Sequence, residues 1–332
     1  MRGRPIAPPA DSDGKVDPLS LDVQCPAVTR HDGMMTRTVR GARVLITGAA
    51  SGMGRLYAER AVREGARAVV LWDRDADALE LAATELRAIV LADRESTAWG
   101  APGRSPSSAV GRPTTTVHPF VVDVGELGAI AQTAQAVRKE LDSIDVLVNN
   151  AGIVRGKYFW EHDNGDDTRP TMQVNALAPM YITREFLPGM IESSREARIV
   201  NIASAAGTVA NPRMSVYAAS KWAVIGWSDS LRLELLQQGF GHVKVTTVAP
   251  SYISTGMFEG ARGPLMTPVM TPEYVVGRVW RAMLAGKPML MLPWTVGLAK
   301  TMKGILPTRA WDLVADRVFG VYTTMDGFTG RR

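Results

Sequence analysis

Apolar residues come in two kinds of run along this chain. Short runs such as RVLIT (43–47), ARAVVLW (66–72), TVHPFVV (116–122), IDVLVNN (144–150), ARIVNIAS (197–204) and HVKVTTVAP (242–250) are rich in β-branched residues at successive positions. Between them lie longer segments with apolar residues at helical spacing: MGRLYAERAVREG, ADALELAATELRAIVLA, Glu126 to Glu140, a segment ending near FLPGM, and the stretch around Tyr217. Strands apolar on both faces, separated by amphipathic helices, predict a parallel sheet covered on both sides. The fold class that follows is α/β, doubly wound.

Three segments break the alternation. Residues 1–40 are rich in Pro, Asp, Gly and Arg without a periodic apolar pattern, and are expected to form a disordered extension before one domain spanning 41–332. Met34 and Met35 stand just before the first strand. Residues 93–115, DRESTAWGAPGRSPSSAVGRPTT, read as a loop insertion at the surface. From Ala261 the chain predicts a helix near 272–285, a short strand PMLMLP and a Trp/Met/Leu-rich tail.

Composition narrows the classes. An apolar content of 46% over 332 residues is ample for a core. The single Cys25 excludes an internal disulfide, and His31, His118, His162 and His242 lack metal-ligand spacing, so no metal is expected. No window approaches eighteen uninterrupted apolar residues and no signal-peptide pattern opens the chain, which makes a cytoplasmic location the expectation. The formal charge is +5, yet residues 261–332 carry ten Lys/Arg against four Asp/Glu. That excess suits an anionic surface such as a membrane; a nucleic-acid site would show a denser basic stripe with interleaved aromatics, so nucleic acid is set aside.

The candidate chemistry begins with TGAASGMG, Thr47 to Gly54, between the first strand and the first helix. Gly48, Gly52 and Gly54 allow a tight turn and close approach of a pyrophosphate to the helix N-terminus. Asp73 ends the second strand about twenty residues on, placed to accept hydrogen bonds from an adenosine ribose. Further along, SVYAASKWAV puts Tyr217 four residues before Lys221 on one helix face, a pair that is weak evidence by itself.

The glycine spacing resembles that of the short-chain dehydrogenase/reductase family. NNAG (149–152), Asn175 in VNA, Ser204 in NIAS, then Tyr217 and Lys221 follow in the family's order. The resemblance covers residues 41–260 and implies a Rossmann-type fold with a C-terminal helical extension on the substrate side. It implies that Tyr217 transfers a proton while hydride moves to or from a nicotinamide. Lys221 would favour the phenolate and hold the nicotinamide ribose, Ser204 would bind the substrate oxygen, and Asn175 would hold a relay water. Gly48, Ser51, Gly52, Met53, Gly54, Asp73, Asp123, Val124, Asn149, Ile253 and Thr255 would contact the cofactor by matching position. Ser251 follows Pro250 where the family usually has Pro-Gly.

Asp73 favours NAD, because a carboxylate repels a ribose 2′-phosphate; the adjacent Arg74 keeps NADP possible. NNAGIVRGK, STGMFEG, ILPT and TTMDGFTGR resemble the subgroup of retinol and hydroxysteroid dehydrogenases, implying a lipophilic alcohol or carbonyl substrate. An NADPH-dependent reductase of a 3-oxoacyl or long-chain carbonyl, and a non-catalytic dinucleotide-binding regulator, are the alternatives. Family resemblance further implies a homodimer or homotetramer. In the tail, Trp311, Val314 and Val318 are expected to share an apolar stripe with Lys300, Lys303, Arg309 and Arg317 nearby. Three fates follow for it: a substrate lid packed on its own domain or a second subunit, peripheral membrane contact, or a disordered end.

Overall fold

The computed structural model describes residues 38–98, 114–193 and 195–330, with backbone alone over 94–98. Seven parallel strands form one sheet: β1 (Arg43–Thr47), β2 (Ala68–Asp73), β3 (Thr116–Val121), β4 (Val146–Asn149), β5 (Ala197–Ile202), β6 (Val243–Pro250) and β7 (Met289–Leu292). Their spatial order is β3-β2-β1-β4-β5-β6-β7. The direction of winding therefore reverses between β1 and β4, which opens a crevice at the carboxyl ends of those strands.

The helices are α1 (Gly52–Arg63), α2 (Ala76–Ala98), α3 (Leu127–Leu141), α4 (Arg169–Met172), α5 (Ala178–Glu192), α6 (Ser215–Gln237), α7 (Pro272–Leu284), α8 (Trp294–Ile305) and α9 (Thr308–Leu313). Strand side chains alternate between two cores. Val44, Ile46, Val69, Leu71, Val146 and Val148 pack with Tyr57 and Ala61 of α1, Leu79 and Leu86 of α2, and Val279 and Trp280 of α7. Leu45, Val70, Trp72, Leu147 and Ile199 turn the other way, onto Ile130 and Val137 of α3, Ile182 and Phe186 of α5, and Leu231 of α6. Each strand must be apolar at successive positions because both its faces are covered. β3, at the edge, is half-exposed and accommodates Pro119, which lacks a donor for a further strand.

Two expected boundaries move. Helix α2 runs on through 93–98, where no Gly or Pro interrupts it and Arg94 and Glu95 are good helix formers; the remainder of the expected insertion, 99–113, lies outside the described residues. At the other end Val39 is buried in the α1-side core, and its amide donates to Glu64 Oε2 at 3.5 Å, so ordered chain precedes residue 41. Residues 1–37, Met34 and Met35 among them, lie outside the described residues.

Candidate active site

The crevice between β1 and β4 opens into a cleft of about 990 Å³. Thr47, the last residue of β1, accepts hydrogen bonds at Oγ1 from the amides of Asn150 and Ala151, both at 3.0 Å, tying the ends of the two strands together. Gly48 (φ 65°) and Gly52 (φ 55°) occupy the left-handed region that a side chain disfavours. A Cβ on Gly54 would lie 2.7 Å from the Gly48 carbonyl carbon and closer still to its oxygen, so this glycine sets how tightly α1 packs on the turn. Gly48, Ser51, Gly52 and Met53 line the cleft, and Gly54 sits behind them.

Asp73 lines the cleft at the end of β2, and its Oδ2 accepts from the Ala50 amide at 3.0 Å. Asp123 and Val124, just past β3, line it too, as do Ile253 and Thr255. The cradle fits a dinucleotide: bare backbone faces the place of a pyrophosphate, and an acceptor-only carboxylate stands at the strand end where a ribose would lie.

Asn149 does not reach this space. It ends β4 buried, with Nδ2 donating to Thr183 Oγ1 at 3.1 Å and Asn201 Oδ1 at 2.8 Å, which fixes α5 and β5 against β4. Its neighbour Asn150 lines the cleft instead, its Nδ2 donating to the Thr47 carbonyl at 2.9 Å. Successive side chains along a strand face opposite ways, so only one of the two asparagines can enter the cleft.

Ser204 follows β5, and Tyr217 and Lys221 lie one turn apart near the start of α6; all three are buried at the cleft wall. Burial pushes the Tyr217 phenol up to about 12, and its hydrogen bond with Ser204 pulls the other way. Burial lowers Lys221 to about 8. Its Nζ donates to the Ile202 carbonyl at 2.9 Å and lies 5.8 Å from the centre of the Tyr217 ring. Burial dominates at Tyr217 in the free protein, where the Lys221 ammonium is turned to the Ile202 carbonyl rather than to the phenol oxygen.

Asn175 sits in a π-helical turn, Gln173–Leu177, inserted between α4 and α5. Fully buried, it holds the NNAG segment: Oδ1 accepts from the Ile153 amide and Nδ2 donates to the Ile153 carbonyl, both at 2.8 Å. A Cβ on Gly152 would come within 3.3 Å of Asn175 Oδ1 and 3.6 Å of Lys221 Nζ, so the glycine leaves room beside both polar atoms.

The outer wall includes the tail, as the substrate-lid expectation had it, but the residues from other segments that complete it were not legible. Val154, Met214, Tyr252, Phe258, Met325 and Phe328 make an apolar cluster around Tyr217, with the Phe258 ring edge-on to Tyr217 at 5.8 Å and to Tyr252 at 5.3 Å. Asn211 Nδ2 donates to Tyr252 Oη at 3.0 Å and to Thr324 Oγ1 at 2.8 Å, knotting the tail to the inner wall. The tail packs on its own chain: Trp311 and Ala315 are buried against Val209. The expected stripe through Trp311, Val314 and Val318 is broken, because a π-helical turn over Val314–Val318 buries Ala315 and leaves Val318 exposed. Only the aromatic and apolar content of the tail hinted at this wall; Asn211 and Tyr252 carry no local signal.

Among the described residues no helix is long and apolar enough to cross a membrane, and no cluster of three His, Cys, Asp or Glu could hold a metal ion.

Residues 42–101 and 100–264 match the family profile of short chain dehydrogenases. Epidermal retinol dehydrogenase 2 of Mus musculus is 34% identical over 298 residues, covering 89% of this chain and 88% of that protein. Short-chain dehydrogenase/reductase 3 of Homo sapiens is 33% identical over 297 residues, covering 89% of each. Among solved structures, a short-chain dehydrogenase/reductase of Burkholderia phymatum in complex with NAD shares the fold at a TM-score of 0.66, with 24% identity over 80% of this chain and 94% of that one. An alcohol dehydrogenase of Thermococcus sibiricus complexed with 5-hydroxy-NADP shares it at 0.59, with 21% identity over 76% of this chain and 95% of that one. Ordered motifs, fold and relatives agree: this chain belongs to the short-chain dehydrogenase/reductase family, in the subgroup of the retinol dehydrogenases, and is an oxidoreductase acting on CH–OH groups with NAD(P).

Proposed function

We propose that the chain interconverts a lipophilic alcohol and its aldehyde or ketone, with Tyr217 exchanging the proton and NAD(H) as the preferred cofactor. The apolar cluster wrapped around Tyr217 carries this reading, since a substrate whose oxygen meets Tyr217 and Ser204 must lay its carbon skeleton against Val154, Met214, Phe258 and Phe328. NAD(H), when bound, accepts or supplies the hydride.

The protein's own part is proton transfer and orientation. A phenol with a pKa near 12 is protonated at neutral pH, so Tyr217 is ready to give its proton to a carbonyl oxygen in reduction. In oxidation Tyr217 must first lose its proton; the phenolate then takes the alcohol proton and returns to the phenol, and the ammonium of Lys221, on the same helix face, lowers the cost of the phenolate form. Ser204 orients the substrate oxygen in this scheme, a role supported by its hydrogen bond to Tyr217. Asn175 holds Ile153 and, through Ser220 at 3.2 Å, braces α6. Asp73 selects NAD because its carboxylate occupies the strand end where a 2′-phosphate would otherwise sit.

The test is a panel of long-chain and polycyclic alcohols followed at the NADH absorbance band, with Tyr217→Phe alongside. The variant is expected to bind NADH as the parent does and to lose roughly two to four powers of ten in turnover. Near-normal turnover by Tyr217→Phe overturns the proton-transfer role; a preference for small polar alcohols overturns the lipophilic substrate.

A further inference from the structure

One side of the cleft mouth, formed by α8, the segment before α7 and the tail, is apolar. Helix α8 points Trp294, Leu298 and Ile305 to solvent from one face, Trp294 being 67% and Ile305 76% exposed. The segment before α7 exposes Leu265 (61%) and Met266 (62%), and Val318 stands out from the tail. These three segments are held side by side: the Leu265 amide donates to the Phe319 carbonyl at 2.8 Å, and the hydroxyls of Thr267 and Thr295 lie 3.0 Å apart. Met266 and Leu298 are both solvent-exposed and part of the cleft lining, so one apolar surface runs from the outside into the cavity. Contiguous apolar surface of this kind marks an interaction site rather than ordinary protein exterior.

The charge around it favours an anionic partner. Lys300 on α8, Arg309 on α9 and Arg317 beyond it are exposed, against Asp312 and Asp316 on the same stretch, of which Asp312 accepts a hydrogen bond from Tyr322. A second copy of the chain seated here would cover Met266 and Leu298 and shut the mouth, whereas a bilayer would leave it open to its own apolar interior.

We propose that this rim is a lipid-docking surface, which seats the cleft mouth on an anionic bilayer so that substrate passes between membrane and cavity without crossing water. The inference rests on the lipophilic-substrate reading, since a rim of this chemistry has no use for a water-soluble alcohol. Docking is interfacial: the apolar face of α8 and the Leu265–Met266 turn enter the headgroup boundary while the basic side chains meet lipid phosphate.

Co-sedimentation of the full chain with vesicles of phosphatidylcholine, with and without phosphatidylserine, tests this independently of turnover. Binding is expected to the phosphatidylserine vesicles at low salt and to weaken as salt rises. Trp294→Ser with Ile305→Ser, neither of which lines the cleft, is expected to weaken vesicle binding by roughly tenfold or more while leaving turnover of a detergent-free soluble alcohol unchanged. The proposal fails if the full chain stays in the supernatant at low salt, if the double variant sediments as the parent does, or if light scattering shows the variant dissociating a parent dimer. A failure of substrate preference with vesicle binding intact would instead remove the lipophilic-substrate reading alone.

Discussion

Lys221→Met should flatten part of the pH dependence of stability. In the folded chain burial holds this lysine near 8, against an ordinary value of 10.5. Between those two values the unfolded chain binds the proton and the folded chain does not, so stability rises with pH through this window. Below the folded value both states are protonated and the buried ammonium is a constant burden; above the unfolded value both are neutral and the burden is gone. Integrating that difference from about pH 7.5 to about pH 9.5 gives a gain of about 2 kcal/mol. For some three hundred ordered residues this amounts to a rise in melting temperature of about 3 °C. Tyr217, whose folded pKa is raised to about 12, works in the opposite direction only once the pH passes its ordinary value of 10.0, so the window keeps clear of it. The assay is thermal unfolding of parent and Lys221→Met without cofactor at closely spaced pH values. Loss of the hydrogen bond to the Ile202 carbonyl shifts the variant by a constant offset, leaving the slope difference as the readout. Parallel slopes for parent and variant would show that the Lys221 ammonium is not desolvated in the free protein.

Two further outcomes bear on the cofactor cradle. Gly54→Ala places a Cβ against the Gly48 carbonyl and 2.8 Å from Asn150 Nδ2; it is expected to destabilise the chain by about 1–3 kcal/mol in urea titration and to weaken NADH binding. Gly226→Ala in α6, where nothing lies within 4 Å, is the control and should stabilise by up to about 1 kcal/mol. Asp73→Ser should raise the NADP-to-NAD ratio of kcat/KM by roughly tenfold or more, with the exposed Arg74 beside it as phosphate partner. An unchanged ratio would remove Asp73 as the selector.

The sheet was legible because burial on both faces leaves no freedom in composition: Val69, Val70, Leu71 and Trp72 are all fully buried, and each is apolar. The placement of the glycine turn and of Tyr217 and Lys221 on one helix face was legible because it is local, set by backbone conformation and by helix periodicity. What escaped depends on direction or distance. Asn149 and Asn150 are chemically identical, and only the pleat at the end of β4 decides which enters the cleft. The π-helical turns at Gln173–Leu177 and Val314–Val318 shift the helical phase, so spacing alone misassigned Val318. The end of α2 was hidden because Asp93 to Ala98 carry no breaker, and the glycines and prolines that suggested a loop come later.

The knot of Asn211, Tyr252 and Thr324 joins positions 113 and 72 residues apart, and no strand pairing in the sheet relies on it. Its release is expected to free the tail while Ser204, just after β5, and Tyr217 and Lys221, on α6, stay fixed, a sub-global opening of lower free energy than unfolding. The Arg262 amide, which donates to the Thr324 carbonyl at 2.9 Å, should then exchange with deuterium ahead of amides in β4 and β5. On the proposed reading a bulky product leaves past the wall that this knot holds shut, and the opening of three hydrogen bonds, none of them made by Tyr217 itself, then sets the pace of release.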